Sequence, residues 1–427
     1  MPTSLTEELL VSELAEHIIG SEIIKLAAEV NARIAKGEHI YNLTIGDFNP
    51  KIFPIPAELK NQIIAAYEKG ETNYPAGDGM LSLRDAVGAW ITNHQALQYA
   101  HNEILIAGGA RPLIYAVYQT LVNANETVVF PVPSWNNNHY TYLTHANPCA
   151  VETTPQNKFM PTADELRPHL ADAALLALCS PLNPTGTTFK KHDLEQICDA
   201  VLEENERRLA TGAKPLYVMY DQIYSALTYG DVVHYDPVSL RPAMRPYTVF
   251  VDGISKSLSA TGVRVGWAFG PKKIIDKMKN ILSHIGAWAP KAEQVATGVY
   301  LKEKESYTAF LTETKQKIED RLHGFHKGFQ QLRAEGFAVD SIDPEAAIYL
   351  TIQLALHGKT TQSGTVLATT QDVTQYVLAE AGIAVVPFSA FGASDTSSWY
   401  RLSVGTCTME DIQDITNALR TALQKLV

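Results

Sequence analysis

A chain of 427 residues can bury a large core, and its length suggests two or three domains. Its composition is that of an ordinary globular protein, 46% hydrophobic and 19% charged, with no apolar run approaching the roughly 18 residues of a membrane-spanning helix. A formal net charge of −11 argues against a nucleic-acid backbone as main partner, yet leaves room for a positive pocket inside an acidic envelope.

In chain order, Met1–Gly20 carries glutamates and no basic stretch, so it does not read as a signal peptide. Cys149, Cys179, Cys198 and Cys407 lack CxxC or Cys/His metal spacing, and the expectation is a reduced, cytoplasmic protein without a metal site. Ile23, Ile24, Ala27, Ala28, Ile34 and Ala35 recur at helical spacing and predict one apolar helix face, with Gly37 as its stop. A loop rich in Pro and Asn follows from Gly46 to Pro56. Short β-prone runs then alternate with helical stretches as far as residue 270. The runs are Ile104–Ala107, Thr127–Phe130, Ala174–Cys179, Leu216–Tyr220, Thr248–Val251 and Trp267–Phe269. Most are apolar on consecutive positions, as strands buried on both faces are. With helices such as Arg111–Val122 and Lys191–Leu209 between them, they predict an α/β fold with a mostly parallel sheet covered on both sides.

Lys272–Leu332 reads as helical and charged, with few breakers. After it come Ala346–Leu354, a polar stretch His357–Thr370 that is the best candidate for a mobile loop, and a helix around Val373–Ala381. Strand candidates Ile383–Val386 and Tyr400–Val404 and an amphipathic helix Met409–Leu426 complete a smaller α+β domain. The expected division is 1–55 as an N-terminal helix and loop joining the small domain, 56–295 as the large domain and 296–427 as the small one.

In an open parallel sheet, ligands gather beyond the carboxyl ends of the strands. Ile104–Ala107 runs into Gly108-Gly109-Ala110-Arg111-Pro112 and a helix, and such a turn offers free N–H groups and a dipole's positive end to a phosphate. A strand-to-helix turn also needs glycine simply to turn. Leu216–Tyr220 ends in Asp221, which in isolation is as well explained as a helix cap. Ala174–Cys179 leads into Asn183-Pro184-Thr185-Gly186, by itself a turn. Thr248–Val251 leads to Gly253-Ile254-Ser255-Lys256, and a lone lysine is most often a solvated charge.

Together these residues carry a resemblance. Lys256, Gly262, Arg264 and Gly266 stand at the spacing of the lysine signature of class I/II aminotransferases, the aspartate-aminotransferase-like, fold-type-I pyridoxal-phosphate enzymes. Asn183-Pro184-Thr185-Gly186, Asp221 with Tyr224, and Tyr400-Arg401-Leu402-Ser403 accompany it in the expected order, and the likeness runs from Gly46 to the last helix. It implies a large domain with a mostly parallel seven-stranded sheet between helices, a smaller α+β domain, and ping-pong transfer of an amino group from an L-amino acid to a 2-oxo acid.

The resemblance also implies residue roles. Lys256 bonds the aldehyde of pyridoxal 5′-phosphate and later shuttles the proton, so its amine should be held near neutrality by burial and nearby positive charge. Asp221 pairs with the ring nitrogen; Asn183 and Tyr224 reach the phenolic oxygen; Trp135 stacks on the ring. Gly109, Ala110, Arg111 and Arg264, with Ser255 as a weaker candidate, make the phosphate site. Tyr74 matches the tyrosine given to the neighbouring subunit's phosphate, which implies a homodimer with shared sites. Arg401 binds the substrate α-carboxylate as a bidentate fork, assisted by Gly46 and Asn183.

Some positions depart from the pattern. Residue 253 is glycine where many relatives carry serine, Arg111 stands where glutamine is common, and Gln222 follows Asp221 in place of glutamate. Ala346, Ala347 and Phe388 replace glycines, which is expected to narrow the pocket. Arg111 and Lys51 are candidates for a distal substrate carboxylate. A lyase or decarboxylase, such as a cysteine-S-conjugate β-lyase or an aminocyclopropane-carboxylate synthase-like enzyme, would share the same core residues. A pyridoxal-phosphate-binding regulator is disfavoured, because the roughly forty residues before Gly46 are acidic and do not suit DNA.

Overall fold

Successive residues of a strand point to opposite faces, so runs such as Ala173–Cys179 are apolar throughout only when both faces are covered. A computed structural model, describing residues 11–18, 20 and 22–427, shows that arrangement. A seven-stranded sheet has the spatial order Ile104–Ala107, Gly266–Phe269, Thr248–Gly253, Tyr217–Asp221, Ala173–Cys179, Thr127–Val132, Asn147–Glu152. Gly266–Phe269 runs antiparallel to both neighbours, and the remaining pairings are parallel. Leu175, Met219 and Val249 pack with Leu113, Val117 and Met278 of the helices on one side. Leu176, Phe250 and Trp267 pack with Val87, Trp90 and Ile197 on the other. The six predicted strands are present with small shifts at their ends. The seventh, Asn147–Glu152, is an edge strand with one buried residue, Val151, and it carries too little apolar patterning to announce itself.

The C-terminal part is built on a four-stranded antiparallel sheet, ordered Val386–Pro387, Trp399–Ser403, Tyr349–Leu354, Val339–Ser341. Lys304–Ala334, Thr370–Ala381 and Met409–Leu423 pack residues such as Leu322, Val377 and Leu419 into its core. The N-terminal segment meets this part: Tyr41–Asn42 pairs in parallel with Ile383–Ala384, and Val30 packs on Leu378 and Ala384.

Two expectations are corrected, and a third stretch is described further. The early helix is Glu22–Ala35, but its buried face is Ile23 and Val30, with Leu26 and Ala27 half-buried between them. Ala28, Ile34 and Ala35 are exposed, and the Ile24 side chain lies outside the described residues. The spacing 23, 26, 27, 30 fits a single stripe, whereas the larger predicted set spreads too far round the helix. Lys272–Leu332 is three helices, Lys272–His284, Lys291–Tyr300 and Lys304–Ala334, because Gly286 (φ 65) turns the chain and Pro290 starts the next helix. His357–Thr370 is a bonded turn: Gly358 N–H donates to the Leu367 carbonyl at 2.9 Å, and Thr360 exchanges hydrogen bonds with Val427.

Candidate active site

A cavity of about 610 Å³ lies where the strands Ala173–Cys179, Tyr217–Asp221 and Thr248–Gly253 end. Beyond Gly253 the single turn Ile254–Ser257 delivers Lys256 to the cavity wall, with Ser255 beside it. A Cβ at residue 253 would stand 2.8 Å from Gly266 Cα, so strand packing demands glycine where relatives carry serine. The Lys256 Nζ donates to the Gly46 carbonyl at 2.5 Å. Burial lowers its pKa to about 8; the carboxylate of Asp47 opposes this, and the guanidinium groups of Arg401, Arg111 and Arg264 reinforce it.

Asp221 lies at the end of its strand, 8% exposed, and accepts from the Ile223 N–H at 3.1 Å. Burial pushes its carboxyl up to about 6. A second buried acid, Asp252, stands on the adjacent strand, accepting from Gly253 N–H at 2.7 Å and the Gln222 amide at 3.3 Å. Burial and, more weakly, Asp221 raise it to about 7.

At the far end of the cavity the helix Ala110–Leu121 begins without a side-chain cap, and Ala110 and Arg111 face the space. Gly109 has φ 93 and lies behind the wall, where a Cβ would collide with the Arg264 guanidinium. Arg264 donates to the Gly108 carbonyl at 2.8 Å and the Thr261 carbonyl at 2.6 Å. Trp135 lines the cavity, with the Arg111 guanidinium 5.2 Å from its ring centre.

Opposite, Arg401 is 1% exposed and donates to Asn183 Oδ1 at 3.0 Å and to the Thr44 carbonyl at 2.5 Å; its Nε has no partner among the described residues. Burial lowers its proton affinity. Tyr224 and Tyr349 hydroxyls lie 2.5 Å apart. Gly46, Asn183, Tyr224, Tyr349 and Arg401 all border the same space.

The fold therefore gathers Gly46, Ala110, Arg111, Trp135, Asn183, Asp221, Tyr224, Ser255, Lys256, Arg264 and Arg401 around one cavity, with Gly109 directly behind it. Tyr74 is not among them: it is 82% exposed and rests edge-on against Trp288. Lys51 is exposed and does not line the cavity, which leaves Arg111 as the distal-carboxylate candidate that does. Ala346, Ala347 and Phe388 are fully buried and do not themselves line the cavity. Sequence reading missed Tyr349, Asp47, Ile23 and Ala27, all of which border it. Asp47 accepts from Thr261 Oγ1 at 2.6 Å, and its adjacency to Gly46 was the available signal.

Known proteins resemble this chain in sequence and in fold. The profile of the family described as aminotransferase class I and II matches residues 38–419. The chain belongs to that family. It is 27% identical over 374 residues to an aspartate aminotransferase of Bacillus sp. (strain YM-2), covering 87% of this chain and 90% of that one. It is 28% identical to a probable aspartate/prephenate aminotransferase of Rickettsia conorii, covering 87% and 88%. Among solved structures, the aspartate aminotransferase from Rhizobium meliloti superposes with a TM-score of 0.89 at 25% identity, over 98% of this chain and 100% of that one. The aromatic aminotransferase from Pyrococcus horikoshii OT3 gives 0.80 at 25% identity, over 92% and 98%. The chain is thus an aminotransferase on an α/β fold of that type, and no described helix is long and apolar enough to cross a membrane.

Proposed function

We propose that this aminotransferase uses pyridoxal 5′-phosphate held by Lys256, moving the amino group of an L-amino acid to a 2-oxo acid. The observation that carries the reading is a lysine amine with a pKa lowered to about 8, sharing one cavity with a buried Asp221 carboxyl that has no cation bonded to it among the described residues. The donor set suits the cofactor. The Gly109–Arg111 helix start and Arg264 offer N–H groups and positive charge to a phosphate, and Asp221 offers its carboxylate to a ring nitrogen. A cavity of about 610 Å³ is of the size such ligands occupy.

When bound, pyridoxal phosphate supplies an aldehyde that bonds amines and a ring that withdraws electrons. The chain supplies the rest. Asp221 would hold a proton on the ring nitrogen, and Asn183 and Tyr224 would offer hydrogen bonds to the phenolic oxygen. Trp135 would stack on the ring. Lys256, whose amine burial makes easier to deprotonate, would carry the proton removed from the substrate α-carbon. Arg401 grips the α-carboxylate, with the Gly46 N–H and Asn183 beside it.

The work is done by a cytoplasmic homodimer in which the exposed Tyr74 reaches the partner's phosphate site. Residues 1–55 act with the small domain 296–427, as the Tyr41–Asn42 pairing with Ile383–Ala384 supports, and 56–295 form the cofactor domain. The test is spectral: purified protein should show a cofactor absorbance that borohydride traps as a covalent adduct. A screen of single amino acids should find one that converts that absorbance without releasing ammonia. Release of ammonia and pyruvate instead would mark the lyase alternative and overturn amino transfer.

Arg401→Lys keeps the charge and loses the fork. Its amino-acid KM should rise by about tenfold to a hundredfold, the worth of a bidentate charge-assisted pair. A KM within a factor of two of the parent would remove Arg401 from the carboxylate site.

A further inference from the structure

Tyr349 touches three of the groups just named, from three different parts of the chain. It opens the strand Tyr349–Leu354, is 1% exposed, and borders the cavity. Strand register fixes its relation to Arg401: Thr351 lies opposite Arg401, so Tyr349 is the diagonal neighbour on the same sheet face. The guanidinium carbon of Arg401 sits 4.6 Å from the Tyr349 ring centre and 4.9 Å from that of Phe391. No carboxylate of the chain is hydrogen-bonded to this buried cation among the described residues, and two aromatic rings lie against it.

The hydroxyl of Tyr349 lies 2.5 Å from that of Tyr224, the two rings meeting edge-on at 5.5 Å. It also fills the space in front of Gly46, where a Cβ would come within 2.5 Å of it. The strand itself is clamped to the Asn183–Gly186 turn: Thr351 Oγ1 donates to the Thr185 carbonyl at 2.8 Å, and Ala346 N–H donates to the Gly186 carbonyl at 2.9 Å. Burial holds both phenols above their ordinary pKa, so both stay neutral. Two neutral phenols sharing one hydrogen bond leave one O–H free for an acceptor in the cavity.

We infer that Tyr349 is a positioning residue for amino transfer: its ring holds the Arg401 fork in place, and its hydroxyl decides where the Tyr224 O–H points. The inference rests on the proposed roles of Arg401 and Tyr224. It divides the side chain into two parts with different effects, which substitution can separate.

Tyr349→Phe keeps the ring and deletes the hydroxyl. The amino-acid KM should stay within about threefold of the parent, while the pH midpoint of the bound cofactor's absorbance moves by about half a unit or more, as loss of an ordered hydrogen bond dictates. Tyr349→Met keeps bulk and deletes the ring. It should move the midpoint likewise and raise the KM by about tenfold, the worth of a desolvated cation–π contact. A Phe variant whose midpoint stays within about 0.1 unit overturns the hydroxyl role, and this conservative variant decides even if the Met protein does not fold. A folded Met variant with parental KM overturns the ring role. The underlying reading fails separately: in that case the parent protein itself shows no borohydride-trapped cofactor.

Discussion

Lys256→Ala is expected to abolish borohydride-trapped attachment of pyridoxal phosphate and to cut amino transfer by about 10⁴-fold or more, since a positioned proton-transfer group and the covalent anchor leave together. Lys256 is the one lysine lining the cavity among the described residues, so no neighbouring amine can substitute for it. The loss should not be one of folding. A lysine whose folded pKa is about 8, below its unfolded value near 10.4, resists being charged inside the protein. That penalty is fully present at neutral pH and disappears as pH rises from about 8 to about 10, so the substitution removes a cost at pH 7. Opposing this, alanine leaves the Gly46 carbonyl without its donor and the cavity without the lysine stem. The thermal midpoint of the cofactor-free variant should therefore equal or exceed the parent's near pH 7, and lose that advantage towards pH 10. Retention of a trapped cofactor in the variant would place the covalent bond at another residue and overturn the assignment.

How far this site was legible in the sequence depended on the kind of signal each residue gave. Strands such as Ile104–Ala107 showed themselves because burial on both faces forces consecutive apolar residues, and residues following such strands were placed near the cavity before any coordinates. Asp221, Asn183 and Lys256 belong to this class, and the resemblance to class I/II aminotransferases tied them together. Asn147–Glu152 did not show, since an edge strand need not be apolar. Nor did the true face of the Glu22–Ala35 helix, because the apolar but exposed Ala28, Ile34 and Ala35 masked the stripe Ile23, Leu26, Ala27, Val30. Tyr349 was invisible for a different reason. Its importance lies in contacts with Tyr224, Arg401 and Gly46, at separations of 125, 52 and 303 residues, which local pattern does not encode. Tyr74 is the converse case, legible as a motif yet placed on the surface of a single chain.

Asp221→Asn should pull activity and stability in opposite directions. The substitution conserves shape, and the asparagine amide cannot hold a proton on a ring nitrogen, so amino transfer should fall by about a thousandfold or more. In the cofactor-free chain the effect reverses. The folded carboxyl titrates at about 6, above the unfolded value near 3.9. Below about pH 4 both states carry the proton and the group is neutral in the balance. As pH rises from about 4 to 6 the unfolded chain releases its proton first, and stability falls by roughly 3 kcal/mol, a loss that then stays constant. Asparagine carries no such term. The cofactor-free variant should thus be more stable than the parent at pH 7, with the difference vanishing towards pH 4; denaturant unfolding at both pH values measures it. The ionised Asp221 also pushes up Asp252, so the variant should release that second carboxyl to ionise at lower pH. A stability difference that does not change with pH would mean that the carboxyl is already compensated inside the folded chain. On the proposed function, the charge that destabilises the cofactor-free chain would be the charge that holds a proton on the ring nitrogen.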